Sequence, residues 1–62
     1  MIIAQFIGRA PCEFEYGKTY ILKELYKLDW KILVEDATDS SRWRAYPTIE
    51  GFLDEWLIIG RK

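Results

Sequence analysis

Hydrophobic and polar positions alternate through most of this chain with the two-residue period of β-structure, and one stretch near the end breaks that rhythm. In Met1–Gly8, Ile2, Ala4 and Phe6 share one parity and Ile3, Gln5 and Ile7 the other, a β-branched run that stops at glycine and predicts a first strand. Arg9–Gly17 sets Pro11, Glu13, Glu15 and Gly17 around Phe14 and Tyr16, the composition of a long, partly ordered loop. Lys18–Lys27 carries Tyr20, Leu22 and Tyr26 on one parity and Ile21 and Leu25 on the other. That mixed pattern suits a strongly bent strand shared between two sheets, with a helix over Tyr20–Leu28 as the competing reading. After a turn at Leu28 and Asp29, Trp30, Ile32 and Val34 alternate with Lys31, Leu33 and Glu35 as a third strand. Asp36–Ser41 is a polar turn cluster, and the fourth strand, Arg42–Tyr46, sets Arg42, Arg44 and Tyr46 against Trp43 and Ala45.

The break in the rhythm follows Pro47, which stops the fourth strand. Thr48 is a suitable N-cap and Glu50 falls in the first turn, where negative charge is favoured. Ile49, Phe52, Leu53 and Trp56 are spaced i, i+3, i+4, i+7 and share one helical face, with Glu50, Asp54 and Glu55 away from it. This face is expected to plug the open end of a barrel. Leu57–Ile59 is then the fifth strand, and Gly60, Arg61 and Lys62 are expected to fray.

Three segments carry a resemblance to a known architecture. Glu13–Leu22 (EFEYGKTYIL) resembles the passage from the long loop of an SH3-like barrel into its second strand, and Asp29–Asp36 (DWKILVED) resembles the tryptophan-led third strand. Ala45–Ile59 (AYPTIEGFLDEWLII) resembles the proline, short helix and last strand. The resemblance covers nearly the whole chain and implies a mainly β, five-stranded SH3-like barrel with one short helix before the last strand. The first strand has no ALYDY-like motif and the helix exceeds a single turn, so proline-rich peptide binding is not part of what is implied. Tyr16, Gly17, Lys18, Tyr20, Trp30, Tyr46 and Pro47 also resemble the pattern of small phage and prophage proteins, which often act by binding a host protein.

Composition narrows the function. The 62 residues make one domain with a thin core, and half are hydrophobic and 16% aromatic. Trp30, Trp43 and Trp56 are therefore expected to supply core volume that a short chain otherwise lacks. There is no histidine and one cysteine, Cys12, which reads as an ordinary thiol. No zinc site, other metal, cofactor or catalytic residue is predicted, and the expectation is a protein that is not an enzyme. The lone cysteine suits a reducing cytoplasm, and the apolar run at Met1–Gly8 is too short for a signal peptide or a membrane span. Nine basic and ten acidic residues leave a net charge of −1, which removes the general attraction to nucleic acid.

The candidate binding residues are Tyr16, Trp30, Arg42, Arg44, Tyr46 and Pro47. The resemblance places Trp30 and Pro47 on a groove with Tyr16 as a third wall, and exposed aromatics give large contact area at low entropy cost. Against this, so small a chain needs its tryptophans and tyrosines for the core, and Trp30 reads first as structural. Arg42 and Arg44 share a face and suit phosphates or a carboxylate-bearing partner, or simply protect an edge strand from pairing. Glu13, Glu15, Glu50, Asp54 and Glu55 read as solvated acidic surface. The function expected is binding of another protein, in the setting of a phage or mobile element, with a host or defence protein as partner. Self-association through an edge strand is a further form of that contact, and a nucleic-acid-binding barrel using Arg42, Arg44 and the second-strand lysines is the alternative.

Overall fold

The computed structural model describes residues 1–9 and 13–62; Pro11 and Cys12, both assigned above to the long loop, lie outside the described residues. The elements run β1 (Ile2–Phe6), β2 (Thr19–Leu22), β3 (Tyr26–Leu28), β4 (Lys31–Asp36), β5 (Asp39–Tyr46), α1 (Ile49–Glu55) and β6 (Trp56–Arg61). Every strand pair is antiparallel: β1 lies between β2 and β6, and β4 pairs with β2, β3 and β5. One curled sheet results, mainly β, with a single short helix before the last strand, as the alternation predicts.

The bent second strand is resolved into two pieces. β2 pairs with β1, β3 pairs with β4, and only Leu22 opposite Asp36 joins β2 to β4 in register. Residues 23–25 carry the bend, and this is why Leu25 falls between parities. The helical alternative for this stretch does not form. β5 begins three residues earlier than predicted, at Asp39, because Asp36 Oδ1 takes the Thr38 amide (2.8 Å) and hydroxyl (2.7 Å) and tightens the polar cluster to a two-residue turn. Gly60 and Arg61 do not fray: they pair with Ile3 and Ile2.

At the helix, Thr48 caps as predicted, its side chain accepting from the Gly51 amide at 3.1 Å. The predicted apolar face holds only in part. Phe52 is buried, but Ile49 and Leu53 are exposed, and Trp56 is the first residue of β6 with extended backbone (φ −134°, ψ 130°). The chain passes from helix to strand with no intervening loop, so the seven-residue helix is too short to present four positions to the core.

The core is aromatic. Trp56 sits at its centre, with ring centroids of Phe14 at 4.8 Å, Phe6 at 5.0 Å, Tyr20 at 6.0 Å and Phe52 at 6.3 Å. Ile2, Ala4, Leu22, Val34 and Tyr46 complete it. Phe14, assigned above to a partly ordered loop, is fully buried and anchors that loop. Gly17, at φ 85°, donates its amide to the Phe6 carbonyl at 2.7 Å and returns the loop to the sheet. The tryptophan expectation needs correction: only Trp56 is core, while Trp30 and Trp43 are 66% and 52% exposed.

Candidate functional site

The exposed tryptophans lead to the site. β3, β4 and β5 form a three-stranded sheet whose inner face supplies Ile32, Val34 and Tyr46 to the core. Register fixes what faces outward: Tyr26 lies opposite Leu33, Leu28 opposite Lys31, Leu33 opposite Ala45, and Glu35 opposite Trp43. Leu28, Leu33, Trp43 and Ala45 therefore stand together on the solvent face and line a hollow of about 360 Å³ with Lys31, Glu35 and Ser40. Leu28 is 57% exposed, so this face is not a buried layer. Glu35 forms its polar border. It accepts from the Tyr26 hydroxyl (2.8 Å) and pairs with Lys23 (3.2 Å), and these two contacts hold its carboxyl below the ordinary range.

A second hollow, of about 230 Å³, adjoins the first through Lys31 and Ala45 and is lined by Trp30, Tyr46 and Pro47. Trp30 reaches it because the turn between β3 and β4 has Asp29 in the left-handed region (φ 58°), a conformation that asparagine and aspartate tolerate better than most residues. The turn lifts Trp30 off the core parity of Ile32 and Val34, and Lys31 Nζ lies 5.3 Å from its ring.

Of the six residues picked from sequence, Trp30, Tyr46 and Pro47 thus come together. Tyr46 offers only part of its ring, being otherwise core: its hydroxyl accepts from the Trp56 indole N–H (3.0 Å) and donates to Glu55 Oε1 (2.7 Å). Burial, then the Glu55 carboxylate, pushes this hydroxyl's pKa up, which keeps it a donor. Arg44 lies over the Tyr46 ring at 5.9 Å and pairs with Glu55 at 3.3 Å, so Glu55 is a partner of the barrel wall and not part of a solvated acidic face.

Arg42 lines a separate hollow with Lys18, Tyr20, Asp36 and Thr38. It pairs with Asp36 at 3.1 Å and Asp39 at 3.6 Å and lies 6.0 Å from the Tyr20 ring. Asp36 is 2% exposed; burial raises its pKa, but the Thr38 amide and hydroxyl and the Arg42 guanidinium together leave it below the ordinary value. Tyr16 is exposed on the loop and lines none of these hollows. Sequence reasoning passed over Leu28, Leu33 and Trp43, although Leu33 and Trp43 already stood as large apolar residues on the parity opposite the core.

No helix is long and apolar enough to cross a membrane among the described residues. In comparisons with known proteins the chain matches no family model, no curated protein and no solved structure.

Proposed function

We propose that this chain is a non-enzymatic module that binds another protein through the outer face of β3, β4 and β5. The observation that carries the reading is the apolar hollow in which exposed Leu28 and Trp43 flank half-buried Leu33 and Ala45, extended by exposed Trp30 and Pro47, on a sheet whose opposite face already supplies the core. Apolar patches of this kind on small proteins mark contact surfaces, and the Trp pair supplies the aromatic anchors that dominate binding energy. Lys31 and Glu35 give it a charged rim of both signs, suited to a partner surface with an apolar centre and mixed polar border. A host or defence protein of a phage-encoded module is the partner class that the resemblance implies. The nucleic-acid reading gains less support, since Arg42 and Arg44 are engaged by Asp36, Asp39 and Glu55.

A photo-reactive benzoylphenylalanine placed at Trp43 or Leu28, in cells that make the protein, tests this. The expected result is one discrete protein adduct from both positions and none from a control probe at Glu50. Nuclease-sensitive adducts, or the same adducts from the control, would overturn it.

A further inference from the structure

Away from that face, unpartnered backbone runs along β6. Among the described residues this strand pairs only with β1, so its other edge is open. Natural edges are usually protected by charge or proline, yet Leu57, Ile58 and Ile59 are three consecutive exposed apolar residues. Ile58 has core parity, two positions from Trp56 and opposite Ala4, and is nevertheless 47% exposed. Among the described residues, no second strand pairs beside β6 to cover the inner face of the sheet at this point.

Backbone polarity agrees. The Ile7 amide donates to the Glu55 carbonyl at 2.8 Å, and the register continues through Phe6–Trp56, Gln5–Leu57 and Ala4–Ile58. Antiparallel alternation counted from that bond leaves the amide and carbonyl of Ile58 pointing away from β1. The register shift between Ile3 and Ala4 makes Ile59 an extra residue on β6, which twists the edge but places no charge on it.

We propose that β6 is a self-association edge, pairing antiparallel with β6 of a second copy about a two-fold axis at Ile58. What selects a second copy is the order of charge along the segment: Asp54 and Glu55 precede the apolar run and Arg61 and Lys62 follow it. An antiparallel copy sets each acidic end against a basic end, whereas a parallel copy sets like against like. Glu55 is engaged by Arg44 and Tyr46, and Arg61 by Glu24, so Asp54 and Lys62 are the pair left for the contact; neither side chain forms an ion pair among the described residues. The strand pairing buries Leu57 against Ile59 of the second copy and covers Ile58. This contact is independent of the partner face proposed above.

Sedimentation equilibrium of the purified chain tests it. One strand pair is a small interface, so a dimer with a dissociation constant on the order of 10–100 µM is expected. Ile59→Lys, at an exposed position, should leave a folded monomer. Asp54→Lys should weaken the dimer about tenfold, since the symmetry removes two contacts, and adding Lys62→Asp should restore it. A mass of one chain, 7.4 kDa, persisting at about 1 mM would overturn the proposal. So would a dimer that survives Ile59→Lys, or one that Trp43→Ser abolishes while Ile59→Lys does not.

Discussion

Replacing Tyr46 by phenylalanine isolates the hydrogen-bond chain that joins core to wall. The ring still packs against Phe52, with centroids 6.0 Å apart, and only the hydroxyl is lost. Two bonds go with it: the one accepted from the Trp56 indole N–H at 3.0 Å and the one donated to Glu55 at 2.7 Å. The first loss weighs more, because Trp56 is fully buried and its orphaned donor has no water to turn to, at a cost of about 1–3 kcal/mol. Glu55 is partly exposed and can rehydrate, which keeps its share to about 1 kcal/mol. The sum, about 2–4 kcal/mol, is a large part of the roughly 3–9 kcal/mol that a 62-residue domain holds in total. Urea melts followed by tryptophan fluorescence should show a lower midpoint at constant slope. In a Trp56→Phe background, where no indole donor remains, the same substitution should cost less. A loss below about 0.5 kcal/mol in the parent background would refute the reasoning, since it would mean that the buried indole N–H finds another partner.

Phe52→Ala removes a fully buried ring from the core and is expected to cost on the order of 3 kcal/mol by urea melts, a third or more of the domain's total stability. Gly8→Ala should also destabilise, because a Cβ there would lie 2.7 Å from the Phe6 ring and 2.8 Å from Glu55 Cδ, and Glu55 is held in place by Tyr46 and Arg44; the thermal midpoint reads this directly. Asp36 has its pKa depressed in the fold, so its stabilisation is complete at neutral pH, above the unfolded pKa, and is lost as pH falls through the folded value; Asp36→Asn should flatten this part of an acid-unfolding profile. Charge reversal at Arg42 should lower the thermal midpoint, because it breaks the pair at 3.1 Å and sets a carboxylate beside buried Asp36.

The β-alternation made the strands and the order of elements legible, and the Thr48 cap and Phe52 anchor were readable one residue at a time. What escaped depends on where backbone leaves its regular path. Trp30 continues the parity of Ile32 and Val34 on paper, but positive φ at Asp29 turns it out to solvent. Phe14 sits among acids and glycine, and only the fold of the loop over the barrel shows that its ring fills the core beside Trp56. Trp56 has helical spacing from Phe52 and strand geometry in fact, since Glu55 ends the helix without a linker. The arginines looked free because their partners stand on other elements: Asp36 ends β4 and meets Arg42 of β5 across the two-residue turn, and Glu55 ends α1. For the candidate site, half of the surface was visible as Trp30, Tyr46 and Pro47. The other half, Leu28, Leu33 and Trp43, needed cross-strand register to be seen as one face.

The outer face of β3, β4 and β5 is proposed to serve a partner and not the fold. This is tested most directly by titration calorimetry of the partner captured at Trp43, using the parent and the Leu28→Ser, Trp30→Ser, Trp43→Ser triple variant with urea midpoints taken in parallel. An affinity loss of about 100-fold or more is expected on removal of these aromatic anchors, with nearly the parent midpoint. Undiminished affinity in a folded triple variant would contradict it.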